Sequence, residues 1–327
     1  MTRFQRIFQL SLLSAAIAFG GAAMAVVPAT ASAAAPQVRT QAPGFYRTML
    51  GDFEITALSD GTVDLDVPKL LAEPAVKTDA ALARAFVHAP LETSVNAYLV
   101  NTGTKLVLVD AGAGTLFGPT LGKLLANLRA AGYAPEQVDD IFITHMHPDH
   151  VGGLAADGQR TFPNATLHAD RHDADFWLSQ SNLDKAPESM EGFFRGAMAS
   201  VNPYVAAGRF EAFEADGEPV PGIHTIATHG HTAGHTSYLV ESKGQQLLVI
   251  GDLIHVASVQ FADPGVTIAF DSDAKAAAAS RATLFGRVAR DGALVGAAHL
   301  QFPGLGHLRA AGKSWQWVPA NYSTELQ

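Results

Sequence analysis

Apolar residues in this chain follow two rhythms. Four short continuous runs, at 105–109 (KLVLV), 141–144 (IFIT), 246–250 (QLLVI) and 293–298 (ALVGAA), predict buried strands. Segments 51–67 and 97–109 read as strands of a meander. Helical spacing appears between the strands. In 118–131, Leu121, Leu124, Leu125 and Leu128 recur at i, i+3, i+4 and i+7. Segment 274–290 is Ala-rich and charged, with Leu284 and Phe285 near its middle, and 170–179 also fits a helix. Segment 203–221, rich in Gly, Glu and Pro, reads as a loop. With no internal repeat and no convincing linker, the expectation for 34–327 is one domain of α/β (α+β) class, with mixed sheets and helices outside.

Each of the four buried runs stops at a residue able to bind metal: Asp110, His145, Asp252 (after Gly251) and His299. In α/β folds, side chains converge where strands end and the chain leaves the sheet. Four titratable residues at the same end of four strands point to a single shared site.

Composition narrows the chemistry. The chain has 327 residues, 48% of them hydrophobic, which is enough for a sizeable core. There is no cysteine, so disulfides, thiolate ligands and a catalytic thiol are excluded. A metal site must then use carboxylates and some of the 13 histidines. The formal charge of −9 argues against a nucleic-acid binder.

The N-terminus reads as an address. Arg3 and Arg6 precede a mostly apolar stretch at 7–18, and Ala31-Ser32-Ala33 offers an A-x-A cleavage site, the layout of a secretory signal peptide over 1–33. The stretch is too short to span a bilayer securely, and no later run reaches ~18 apolar residues. A periplasmic or secreted protein with no membrane anchor is expected. Removing 1–33, which carries two arginines and no acidic residue, takes the charge from −9 to −11.

The strongest motif is His145-Met146-His147-Pro148-Asp149-His150, three imidazoles and a carboxylate within six residues directly after a strand. These are the non-thiolate ligands zinc favours. As packing they are hard to explain, because each would need a polar partner if buried. Alternation points His145 and His147 to one side, and Pro148 fixes a turn that lets Asp149 and His150 face a second position. A second cluster, THGHTAGH at 228–235, contains His229, His231 and His235. Composition alone leaves open which of these binds metal, since ligating histidines commonly need histidine or carboxylate partners around them.

Taken in order, H-x-H-x-D-H, G-H-T-x-G-H, G-D and a late His resemble the metallo-β-lactamase-fold hydrolases. Longer segments at 35–47, 50–63, 89–103, 182–188, 192–200 and 298–313 resemble the methyl parathion hydrolases and their lactonase and arylesterase relatives. The resemblance implies an αββα sandwich with two divalent metal ions, zinc, in a cleft at the sheet edges. It implies His145, His147 and His231 on one ion, Asp149, His150 and His299 on the other, and Asp252 bridging. Asp110 and His235 would support these ligands from behind, and His307 would be structural. Two ions ~3.5–4 Å apart would hold a shared hydroxide as nucleophile, with Asp252 and Asp149 beside it. The implied partners are small-molecule esters, lactones or phosphotriesters, and a second copy of the chain in a homodimer.

The same resemblance points to Phe117, Trp177, Phe193 and Phe194 as an aromatic wall. The chain departs from the methyl parathion hydrolase pattern at further pocket positions. Leu70 replaces Arg, His255 replaces Leu, Ile268 replaces Thr and Phe270 replaces Leu, and the loop before 192–200 is one residue shorter. A cleft narrowed by Ile268 and Phe270 should favour a flat lactone or aryl ester, such as dihydrocoumarin, over a tetrahedral phosphotriester. Alternatives are a dedicated organophosphate phosphotriesterase and a thioesterase of glyoxalase II type. The latter's glutathione site would want basic residues near the cleft.

Overall fold

The computed structural model describes residues 35–214 and 216–326. The expected signal peptide lies outside them. Residues 35–40 carry neither helix nor strand.

From Gln41 the chain forms one compact unit. Its first sheet begins with β1 (Phe45–Leu50), β2 (Phe53–Leu65), β3 (Leu91–Asn101), β4 (Leu106–Val109) and β5 (Asp140–Phe142). A small hairpin, β6 (Ala155–Ala156) and β7 (Gln159–Arg160), precedes β8 (Thr166–Asp170) and β9 (Phe210–Phe213), which complete that sheet in the order β1-β2-β3-β4-β5-β8-β9. The second sheet runs in sequence order through β10 (Ile223–Ala227), β11 (Thr236–Ser242), β12 (Gln245–Val249), β13 (Leu294–Gly296), β14 (Leu305–Ala311) and β15 (Ser314–Pro319). Both sheets are mixed. Antiparallel meanders give way to parallel pairing at β4/β5, β5/β8 and β8/β9, and at β12/β13.

The period-2 pattern of each strand sorts side chains into layers. On β4, Val107 and Val109 face the inter-sheet core with Val100, Tyr98, Phe142, Tyr238, Val240 and Val249. Leu106 and Leu108 face the other way, onto Leu124, Leu128, Phe194, Ala197 and Val201 from helices. On β12, Leu247 and Val249 point inward, while Leu248 packs outward on Leu284, Phe285 and Val288 of the helix Ala274–Asp291. Two sheets face to face with helices on both outer surfaces make an αββα sandwich.

Most expected elements appear with shifted ends. The helix expected over 118–131 starts only at Leu124. Gly118 and Gly122 have positive φ, 81° and 78°, so the preceding residues turn instead, although Leu121 is still buried with Val95 and Ala113. The expected loop 203–221 is a correction. The helix Glu188–Ala206 runs through Pro203, and Phe210–Phe213 pairs in parallel with β8. Phe210 and Ala212 on one face and Glu211 and Phe213 on the other make a strand's alternation in a stretch otherwise marked by breakers. Among the described residues no helix is long and apolar enough to cross a membrane.

Candidate metal centre

The strand ends deliver their residues to one place. His145 follows β5, and His147 takes the N-cap position of a short helix, Pro148–Val151, with Pro148 at its first turn. That turn folds His150 back beside His145, ring centroids 4.1 Å apart, while Asp149 and His150 join a second group of donors. His231 and His235 come from the link between β10 and β11, Asp252 from the link after β12, and His299 from the link after β13. The approach to Asp252 demands a glycine. Gly251 has φ 50°, and a Cβ there would lie 2.7 Å from His235 Nε2 and 2.9 Å from Thr144 Cβ.

Two sets of four donors result. His145, His147, His231 and Asp252 offer atoms that all lie within 4.8 Å of one another, as do Asp149, His150, Asp252 and His299. Asp252 belongs to both. Its Oδ2 lies 3.6 Å from His145 Nε2 and 3.3 Å from His231 Nε2. Its Oδ1 lies 3.2 Å from His150 Nε2 and 3.1 Å from His299 Nε2. Asp149 Oδ2 stands 3.5 Å from His150 Nε2 and 3.4 Å from His299 Nε2.

These spacings fit ions better than they fit hydrogen bonds. Donors on a tetrahedral zinc with bonds of ~2.0–2.1 Å are about 3.3 Å apart. His145 Nε2, His150 Nε2 and Asp252 Oδ1 are buried and have no hydrogen-bond partner. Leaving three such atoms unpaired in a protein interior costs roughly 1–3 kcal/mol each.

Outer partners fix the imidazoles so that their inner nitrogens are free to coordinate. His150 Nδ1 donates to Asp110 Oδ2 at 2.9 Å, His231 Nδ1 to Asp271 Oδ1 at 2.8 Å and His299 Nδ1 to the Ser94 carbonyl at 2.9 Å. Asp110, held at φ 62°, also accepts from the Thr144 amide and hydroxyl. Such partners set tautomer and basicity. Of the three histidines left open in 228–235, His231 joins the first donor set. His235 accepts the Asp252 amide N–H at Nε2 (3.0 Å) and faces Thr228 Oγ1 with Nδ1, so it steadies the bridging residue instead. Burial pushes the His235 imidazole down to about 3, which keeps that nitrogen free to accept. Burial likewise holds His145 and His147 well below the usual histidine range. Burial alone would raise Asp252, but the surrounding His299, His150, His255 and His145 override it and hold the carboxyl well below its ordinary value.

A cavity of about 280 Å³ opens above the donors, lined by Val63, Leu65, Phe117, Phe193, His255 and Phe270 together with His147, Asp149, Asp252 and His299. Four residues expected in its wall sit elsewhere. Trp177 is fully buried behind His147 and Phe193, and Phe194 packs in the helix layer. Ile268 and Leu70 pack with Val67, Leu71 and Val259 in a cluster that backs the lining residues Leu65 and Phe270. Val63 and Leu65, at the end of β2, take their place. His307 lies on β14 and faces the carbonyls of Gly292 and Ala293.

Sequence reasoning missed three supports. Asp173 is buried and accepts from the Met146 amide, the Thr232 hydroxyl and the Gly234 amide, tying both histidine loops to one helix. Asp271 orients His231. Arg281, fully buried, donates to the carbonyls of Leu253, Pro264 and Val266 and so holds the segment after Asp252. Only Asp173 left a trace, as an acidic residue one position before Ala174 and four before Trp177 on a helix face that is otherwise apolar.

A family model described as the metallo-β-lactamase superfamily matches residues 91–299, the stretch that holds every donor above. The chain belongs to this superfamily. An N-acyl homoserine lactonase of a Bacillus species is 29% identical over 181 residues, 49% of this chain and 64% of the relative. That of Bacillus cereus is 26% identical over 151 residues, 46% and 52% of the two chains. The chain thus spans less than two thirds of the length of these curated relatives. Among solved structures, the hydrolase AbOPH of the β-lactamase superfamily is 39% identical, with TM-score 0.83 over 87% of this chain and 100% of its own. AidC, a dizinc quorum-quenching lactonase bound to its product, is 26% identical with TM-score 0.79, covering 86% and 99%. The donor sets of this chain fit two divalent ions, and imidazole with carboxylate suits zinc.

Proposed function

We propose that this protein is a dinuclear-metal lactonase and arylesterase, with phosphotriester hydrolysis of the methyl parathion type as a weaker activity. The observation that carries this is the cavity itself. Its floor is formed by His147, Asp149, Asp252 and His299 of the two donor sets, its walls are largely apolar, and no lysine or arginine lines it among the described residues. An anionic substrate would find no cation besides the metals to hold its charge, so neutral esters, lactones and triesters are favoured over glutathione thioesters. The N-acyl homoserine lactonase relatives and the AidC likeness support a lactone.

In this reading His145, His147 and His231 hold one ion, Asp149, His150 and His299 the other, and Asp252 both. Two divalent ions supply Lewis acidity that lowers the pKa of a shared water and polarises the acyl or phosphoryl oxygen. Asp149 and Asp252 line the cavity floor, where they would orient the water beside the ions. Phe117, Phe193 and Phe270 hold an aryl or lactone ring against the floor and exclude bulk water. His255 narrows the opposite side, with Nε2 3.0 Å from Asp252 Oδ2 and its ring 6.3 Å from that of Phe270. A planar ester passes between these walls more readily than a phosphorus centre bearing two alkoxy groups and an aryl leaving group.

The test is a substrate panel on the zinc-loaded enzyme. We expect kcat/KM for dihydrocoumarin, an aryl ester or an N-acyl homoserine lactone to exceed that for methyl parathion by at least about tenfold, a barrier difference of ~1.4 kcal/mol. Phe270→Leu with His255→Leu should raise the phosphotriester rate relative to the lactone rate at unchanged metal content. A native preference for methyl parathion, or an unmoved ratio in the double variant, would reject the steric account. Export of a chain shortened at its N-terminus, by the 1–33 layout, completes the proposal.

A further inference from the structure

Among the described residues, one further group of three metal-ligating side chains lies outside both donor sets. Asp170 ends β8 and caps the helix Arg171–Trp177, its Oδ1 accepting the His172 amide at 2.7 Å. His172 Nδ1 lies 2.8 Å from the same oxygen. The other oxygen, Oδ2, faces His229 Nε2 at 3.5 Å, an ion-pair distance longer than an ordinary hydrogen bond, and that buried nitrogen makes no other polar contact. The two imidazoles are 5.1 Å apart between centroids, and the three donor atoms lie within 4.8 Å of one another. The 3.5 Å gap matches the ~3.3 Å donor spacing of a tetrahedral ion. The surroundings favour a cation. Asp173 and Asp216 add negative charge near His229, and Arg171, next to Asp170 in sequence, is paired with Glu214.

We propose that Asp170, His172 and His229 form a third site, for one divalent transition metal of the zinc class. An imidazole pair with one carboxylate and open positions for water suits zinc, cobalt or nickel rather than calcium or magnesium. His172 is largely exposed, so the site opens to solvent and binds more weakly than the two four-donor sets. An ion here joins the helix Arg171–Trp177 to the link that carries His231, beside the tie already made by Asp173.

Starting from protein with both main sites filled, bound zinc per chain is measured by mass spectrometry across a series of buffered free-zinc concentrations. The native chain should take up a third equivalent after the first two. His172→Ala and His229→Ala should each stop at two, while His88→Ala, an exposed histidine elsewhere, should still reach three. With cobalt, the third step should bring new visible absorption bands that both variants lack. Because His172 is exposed, its replacement leaves the fold intact and keeps the result readable. Saturation of the native chain at two equivalents would overturn the site. So would a third equivalent that survives in both variants or disappears equally in His88→Ala. Failure of the two-ion reading would show instead in the first two equivalents.

Discussion

Asp252 Oδ2 faces His145 and His231, Oδ1 faces His150, and His299 Nε2 lies 3.1 Å from each, so a single side chain serves both donor sets. Asp252→Ala should therefore lower bound metal from about two equivalents to well under one and reduce lactone kcat by more than the ~10–100-fold typical of a supporting residue. His235→Ala, which removes the acceptor of the Asp252 amide and the partner of Thr228 but no donor of either set, should fall inside that range. Metal analysis alongside turnover separates the two. Full metal content in Asp252→Ala would contradict its shared role. Legibility followed the same division at this scale. His145, His147, Asp149 and His150 stand within six residues and announce themselves. Asp271 and Arg281 do not, because their partners are brought from distant segments by the fold, and nothing local marks which acidic or basic residue turns inward.

Among elements, the helix Ala274–Asp291 does more than cover the second sheet. It begins at Asp273, whose side chain accepts the Ala276 amide, and ends at Gly292 in the left-handed region. From its middle Arg281 reaches three carbonyls of the segment after Asp252. Arg281→Leu would strand the Leu253 carbonyl and leave Val266 to Gln260 alone, and a loss of about 3 kcal/mol is expected in denaturant unfolding. Arg281→Lys, which keeps a donor, should lose less. Equal stability in all three would show that the carbonyls find other partners. The boundaries of this helix were readable, since its Ala-rich run is bracketed by a cap and a glycine. The helix Glu188–Ala206 was not, because Pro203 and the Gly- and Glu-rich residues after it look like a break. Within a helix packed by Phe194, Ala197, Val201 and Tyr204, burial outweighs the one lost hydrogen bond.

For the whole molecule, the donors come from both sheets. The loop after β5 supplies His145, His147, Asp149 and His150, and links in the second sheet supply His231, Asp252 and His299. Ions bound to the folded state alone stabilise it by about 4 kcal/mol when free metal is a thousandfold above its dissociation constant. Chelation should lower Tm markedly, and zinc should restore it. An unchanged Tm after verified metal removal would mean that the sandwich holds the donors without help. On the proposed export, chains recovered outside the cytoplasm of the native host should begin near Ala34. N-terminal sequencing that reads Met1 or Thr2 there would refute it.

The distribution of donors along the chain also sets an order of events. Four of the seven residues are synthesised early and close together, but Asp252 and His299 emerge from the ribosome much later. A nascent chain can offer a metal only the first half of each set, a loose chelate open to exchange. The complete centre exists only once β12 and β13 have paired with the rest of the second sheet, so loading belongs to the end of maturation. If the chain crosses a membrane before it folds, the metal it finally carries is chosen by the compartment it reaches and not by the one in which it was made.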